Sequence, residues 1–328
     1  MMAPEVNAIF EIQNEQSFNE VALSVFRFQA ENTAIYRQYI QLLGKNIQDV
    51  RGYADIPFLP IEFFKTQTIL ADNYASKITF QSSGTTGMTT SKHLVADPAI
   101  YETSYNKAFQ SFYGNVKDIA VLALLPSYQE RSGSSLIYMV DDLIAQSDVT
   151  ESGYFLYDHQ ALFNTLSSLR DRNIKTILFG VTYALLDFAE HFAISFPDLI
   201  VMETGGMKGR RKEMIRPELH ALLRAGFGVE HVHSEYGMTE LLSQAYSQRD
   251  GIFTTPPWMK VLIRDTNDPL TLIEQHRTGA INIIDLANMY SCSFIATQDL
   301  GKIHADGQFE ILGRFDHSDI RGCNLLVQ

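Results

Sequence analysis

Cysteine is scarce in this sequence of 328 residues, which holds only Cys292 and Cys323. Two thiols make no disulfide framework, and nothing around them has metal-ligand spacing. A reducing, cytoplasmic setting is therefore expected. Long apolar runs are missing as well. The longest, Ile119 to Pro126, falls far short of a membrane span. The start, Met1-Met2-Ala3-Pro4-Glu5, lacks the cationic and apolar segments of a signal peptide. Positive charge is also limited: 26 Lys and Arg stand against 38 Asp and Glu, a net charge of -12. Such a surface repels nucleic acid unless a basic patch is segregated. The one short cluster, Lys208-Gly209-Arg210-Arg211-Lys212, is too small to change that. It suits a solvated helix start or, alternatively, contact with a bound phosphate. Neither an internal repeat nor a low-complexity tract is present.

What is there suits a large core, since 45% of the residues are hydrophobic and only 20% are charged. Residues 17–43 have apolar positions Phe18, Val21, Ala22, Val25, Phe26 and Phe28 at helical spacing, with Gly44 as a stop. Two prolines keep Ile56–Ile61 from being helical and make it an extended connector. From residue 77 short apolar runs alternate with helix-length segments. Strands are predicted at Ile78–Gln81, Ile119–Leu125, Gly153–Tyr157, Thr176–Phe179, Leu199–Met202 and Glu230–His233. Helices are predicted near 98–112, 135–146, 160–171, 183–192 and 211–225. This alternation predicts an α/β class with a largely parallel sheet. After about residue 252 helices fade, and short runs such as Lys260–Ile263 and Ala280–Ile284 predict a smaller β-rich region. The expected organisation is an N-terminal helical and connector region (1–76), an α/β core (77–251) and a β-rich subdomain (252–328).

Three segments carry chemistry. Ser82-Ser83-Gly84-Thr85-Thr86-Gly87 follows a predicted strand. Its glycines allow positive φ, its amides can form an anion nest, and four hydroxyls add donors. A polyphosphate fits; so does a flexible surface loop. Ser234-Glu235-Tyr236-Gly237-Met238-Thr239-Glu240 offers a ring to stack on a purine and a carboxylate for Mg²⁺. It would also serve as an ordinary strand-to-helix turn. Thr297-Gln298-Asp299-Leu300-Gly301, with Gly313-Arg314-Phe315-Asp316 after it, places an acid at a strand end and an arginine nearby. That pair suits ribose hydroxyls or a plain surface ion pair. His233 tempts as a base, but without a visible partner it reads as a core histidine.

In this order the segments resemble those of the adenylate-forming superfamily of acyl-CoA synthetases, luciferases and peptide-synthetase adenylation domains. Ser82–Gly87 is similar to the phosphate loop, and Thr204-Gly205-Gly206 to the segment beside the adenine. Tyr236-Gly237-Met238-Thr239-Glu240 matches Tyr-Gly-x-Thr-Glu. Gln298-Asp299-Leu300-Gly301 resembles the Gly-Asp-Leu-Gly ribose motif with Gln for the first Gly, and Gly313-Arg314 matches the Gly-Arg before the hinge. The resemblance spans 77–322 and implies use of ATP and Mg²⁺. It implies that Ser82, Ser83, Gly84, Thr85, Thr86, Gly87 and Thr239 hold phosphates, and that Glu240 carries the metal. Tyr236 would stack on adenine beside Gly205 and Gly206, with Glu235 and Gly237 in the same nucleotide site. Asp299 and Arg314 would fix the ribose.

Two departures stand out. Thr89-Thr90 replaces the usual Pro-Lys, with Lys92 two places later. The sequence stops at Gln328, so the mobile C-terminal domain and its lysine are expected to be absent. The subfamily that looks closest is the bioluminescence-type acyl-protein synthetase, with phenylacetate-CoA ligase more distant. Ile56–Ile61 before Phe63-Phe64-Lys65 fits that comparison, as does Arg321-Gly322-Cys323-Asn324. That resemblance implies activation of a carboxylic acid, a fatty acid by preference, and transfer to Cys323. Arg321 and His317 would favour the thiolate; a buried, inert Cys323 is the other reading. The implied partner is an acyl-accepting reductase, transferase or carrier protein. The alternatives are a CoA-ligase core served by a separate domain, and a nucleotide-binding subunit without turnover.

Overall fold

Ala120–Leu124 and Thr176–Val181 are buried at every position, the pattern of strands covered on both faces of a parallel sheet. They are inner strands of one sheet in a computed structural model that describes residues 3–82, 89–126, 133–205, 214–274 and 276–314. In chain order the strands are β1 (Leu59–Pro60), β2 (Ile78–Gln81), β3 (Lys92–Val95), β4 (Ala120–Leu124), β5 (Gly153–Tyr154), β6 (Thr176–Val181) and β7 (Ile200–Thr204). They continue with β8 (His233–Tyr236), β9 (Ala245–Ser247), β10 (Ile252–Phe253), β11 (Met259–Arg264), β12 (Gly279–Asp285), β13 (Phe294–Ile303) and β14 (Phe309–Arg314). The chain divides into two compact units. One spans 74–256; the other joins the residues up to 73 with those from 257 onward.

In the 74–256 unit the sheet order is β5-β4-β6-β7-β8-β9, parallel except for β9. Strand order reverses at β4, which lies between β5 and β6. Helices Pro98–Tyr113, Ser135–Gln146, His159–Asp171, Thr182–His191 and Arg216–Phe227 intervene, the α/β arrangement expected from the alternation. Their ends follow local chemistry. Pro98 starts its helix without losing a needed N–H, and Gly114 at φ 90° stops it. Ser134 accepts the Ile137 N–H to cap the next one. β2 and β3 form a separate hairpin, with Phe80 opposite His93.

The strand predicted at Glu230–His233 lies three residues later, at His233–Tyr236. Val232 drew the expectation forward. The real strand is polar because its side chains reach other side chains rather than an apolar layer, as described below.

In the second unit β14-β13-β12-β11 run antiparallel and form the β-rich region expected after residue 252, and β1 joins β13 in parallel. Proline is tolerated in β1 because the strand is two residues at an edge. The helical region predicted at 17–43 is two helices, Glu15–Asn32 and Ala34–Leu42. Between them Thr33 is extended at φ −103°, ψ 102°, and its hydroxyl donates to Ser291 O at 3.3 Å. Gln29 explains the tie to the last strands: its amide donates to Asn288 O and Met289 O, and its oxygen accepts from Ser293 N. Among the described residues no helix is long and apolar enough to cross a membrane.

Candidate functional site

Four parallel strands of the 74–256 unit end on one side of their sheet, and a cleft opens there. Pro126 follows β4, Val181 ends β6, Thr204 ends β7, and Glu235 near the end of β8 is followed by Gly237. Open α/β sheets bind ligands at the carboxyl ends of their strands, beside a reversal of strand order. β4 is that reversal here.

The geometry of β7 and β8 sorts the polar side chains. Glu203 lies opposite Ser234, and successive strand residues point to opposite faces. On one face Glu203 accepts from the Thr182 hydroxyl and, at 3.4 Å, from Ser234 Oγ. On the other, Thr204 Oγ1 donates to Glu235 Oε2 at 2.7 Å. Burial raises the Glu235 carboxyl to about 7; the nearby Glu203 charge adds to this, and the Thr204 bond opposes it.

Glycine at 237 has a specific reason. A Cβ there would stand 2.3 Å from Glu235 Oε1 and 3.4 Å from Gln244 Cγ. Its absence lets the carboxylate lie over the chain. Gly237→Ala is expected to push that carboxylate off Thr204 and cost about 1 kcal/mol. Urea denaturation checks this against a Thr204→Val background. Acting through the Thr204 bond, the glycine substitution loses its cost there; the same cost in both backgrounds would rule that route out.

Gln244 is 4% exposed and lines the cleft. Its Nε2 lies 3.5 Å from Tyr101 Oη, whose own proton goes to Ser135 O at 2.9 Å. Among the described residues the Gln244 Oε1 has no hydrogen-bond partner.

His93 fixes the far wall. It is fully buried, and burial lowers its pKa to about 4, so the ring is neutral. Nδ1 lies 3.0 Å from Thr239 O, and a neutral ring that carries its proton there donates to it. This holds the 237–240 turn against the β2–β3 hairpin, whose first strand ends at the cleft residue Gln81.

Of the residues expected from sequence, Gly205, Glu235, Gly237 and Thr239 meet at this cleft. Gly205 adopts φ +69°, a conformation glycine takes without strain. Ser82 sits at the hairpin base, its Oγ accepting from Ser91 N at 2.9 Å. Tyr236 lies outside the cleft lining, its ring edge-on to Phe253 at 5.9 Å. Glu240 is buried at 6% exposure and is likewise outside the lining. Asp299 and Arg314 belong to the other unit. They are partners across β13 and β14, Arg314 Nε donating to Asp299 Oδ1 at 3.1 Å. Asp299 lies within β13, which extends to Ile303, rather than at a strand end. His233 is a packed side chain, as expected: it meets Tyr113 Oη at 3.3 Å, and burial lowers its pKa to about 4. Ser83, Gly84, Thr85, Thr86, Gly87, Gly206 and Cys323 lie outside the described residues. Among those described, no cluster of three or more His, Cys, Asp or Glu is arranged to hold a metal. A phosphate-bound Mg²⁺ needs only one or two carboxylates. Glu240 follows the cleft residue Thr239 in the chain.

Sequence reasoning missed His93, Tyr101 and Gln244. His93 is 146 residues from its partner, and no spacing rule connects them. Gln244 is four residues past the Tyr-Gly-Met-Thr-Glu motif, where its polarity was the only available signal.

No protein-family model matches the chain, and no curated protein matches it. Solved structures do. ATP-bound MatB from Rhodopseudomonas palustris is similar with a TM-score of 0.55 at 18% identity, over 74% of this chain and 49% of that one. The 2-hydroxyisobutyryl-CoA ligase in its postadenylation state with 2-HIB-AMP gives 0.68 at 11% identity, over 92% of this chain and 68% of that one. A luciferase-like enzyme from the nonluminescent mealworm Zophobas morio gives 0.52 at 13% identity, over 75% and 59%. The chain spans about half the length of MatB. At these identities the likeness is one of fold.

Proposed function

We propose that this chain, which has the fold of the adenylate-forming core, binds ATP and activates a carboxylic acid as its acyl-adenylate. The observation that carries the reading is the convergence of Gly205, Gly237 and Thr239 on one cleft at the strand ends. They come from two separate segments, and each belongs to a motif that resembles the nucleotide site of that superfamily. MatB with ATP and the hydroxyisobutyryl ligase with its acyl-AMP share the fold and support the same chemistry.

A carboxylate oxygen attacks the α-phosphorus, the bond to the β-phosphate breaks, and pyrophosphate leaves. Two anions must approach, so oriented donors matter more than covalent catalysis. The Thr239 hydroxyl and the Ser82–Gly87 loop would hold phosphate oxygens, and Asp299 with Arg314 the ribose. Glu240 would hold Mg²⁺, which neutralises phosphate charge when bound. His93 acts through Thr239 by fixing its carbonyl.

Acid-dependent exchange of labelled pyrophosphate into ATP tests the proposal. Exchange that requires both an acid and Mg²⁺ is expected. ATP binding with no exchange across a broad acid panel would instead leave a nucleotide-binding subunit.

The second half-reaction proposed is thioester formation on Cys323. Its thiolate attacks the acyl carbon, the bond to AMP breaks, AMP leaves, and the thiol proton goes to solvent. A reductase, transferase or carrier would then take the acyl group. Intact mass after incubation with acid and ATP should show a hydroxylamine-labile adduct. The same adduct on Cys323→Ser would reject that acceptor, and consumption of added CoA would point to a CoA ligase.

A further inference from the structure

We infer that the acid taken by this site also carries an ammonium group, received by the Glu235 carboxylate and the Gln244 side-chain oxygen. The inference rests on the adenylation reading and narrows it to a substrate class.

The Glu235 carboxylate lines the cleft with one oxygen bonded to Thr204 and the other lying over Gly237. Among the described residues no cation pairs with it. An ionised carboxylate withdrawn from water without a counter-charge is unfavourable. Its acidity is correspondingly weakened, to about 7, and a cationic ligand would restore the charged form. Glu203, on the adjacent strand, adds negative potential from the other face of the sheet.

Gln244 supplies the independent observation. Its Oε1 is buried and, among the described residues, has no hydrogen-bond partner, whereas buried polar atoms ordinarily have one. The two side chains line the same cleft and flank Gly237, where a Cβ would lie 2.3 Å from Glu235 Oε1 and 3.4 Å from Gln244 Cγ. An ammonium brings three donors and a positive charge to two acceptors, one of them anionic. A hydroxyl brings one donor and no charge. A plain alkyl chain would cover both acceptors and pair neither. Sites with buried polar groups discriminate strongly against ligands that lack the matching group.

The test compares acids matched in length: alkanoic, ω-hydroxy, ω-amino and α-amino. In pyrophosphate exchange an amino acid should exceed the plain acid in kcat/KM by roughly tenfold or more. Glu235→Gln and Gln244→Met should each erase most of that ratio. Glu235→Gln removes a buried charge and keeps the shape, so it is expected to fold. Equal or better exchange with the plain or hydroxy acid would overturn the ammonium assignment while leaving adenylation standing. Should no acid support exchange, adenylation falls, and calorimetric titration with the same acids still decides. Binding of the amino acid alone, lost in Glu235→Gln, supports the assignment; absence of such a preference overturns it.

Discussion

Replacing Asp299 by alanine is expected to lower kcat/KM for ATP in acid-dependent exchange by about 100- to 10,000-fold, and to lower stability as well. The carboxylate is nearly buried, at 8% side-chain exposure, while its partner Arg314 is 70% exposed. Removing the acid leaves Arg314 to water, but it also takes a negative charge away from the buried Arg264, and that is the source of the stability loss. In the proposed complex the same carboxylate accepts two ribose hydroxyls. Hydrogen bonds to a charged group contribute about 1.5–3 kcal/mol each, which gives the expected loss. Asp299→Asn retains one acceptor oxygen and should lose less. Initial-rate measurements at varied ATP, alongside thermal melts, read both quantities. An unchanged ATP dependence would remove Asp299 from the nucleotide site.

The second large effect belongs to stability. His93→Gln should destabilise the protein by an amount that depends on pH. Unfolded histidine titrates near 6.5, while buried His93 titrates near 4. Between those values the unfolded chain binds a proton that the native one excludes, so the stability His93 contributes is lost as pH falls from 6.5 toward 4. A depression of this size corresponds to about 3 kcal/mol. The penalty of His93→Gln should thus be largest above pH 6.5 and fall by about 3 kcal/mol toward pH 4, as read by urea denaturation across that range. A penalty independent of pH would mean that the native ring titrates normally. Glu235 has the opposite sign. Between 4.5 and about 7 its native form holds a proton that the unfolded chain has released, so its contribution declines as pH rises. It is common to both proteins and cancels in the difference.

These two residues also mark what was legible in the sequence. The order of strands and helices from 77 to 251 was readable because β4, β6 and β7 are apolar runs bounded by turns. β8 was misplaced because His233-Ser234-Glu235-Tyr236 contains no apolar stripe; its side chains bond across strands and face a cleft. The break at Thr33 was invisible because it depends on Ser291, 258 residues away. Motif residues identified the neighbourhood of the cleft, since they are contiguous in the chain. The contacts that shape it, His93 to Thr239 and Gln244 to Tyr101, join distant segments and follow no local pattern.

The second unit is assembled from the beginning and the end of the sequence, and that fixes an order of events during synthesis. Phe26 and Tyr36 pack against Phe294, and Gln29 bonds to Ser293, 264 positions later. At ribosomal speeds those helices emerge on the order of tens of seconds before the strands that cover them. The 74–256 unit can complete its own sheet in that interval. The N-terminal helices meanwhile hold an uncovered aromatic face, which makes them natural clients for a chaperone at the ribosome exit. A chain truncated ahead of Phe294 would keep that face bare for good and be prone to aggregate.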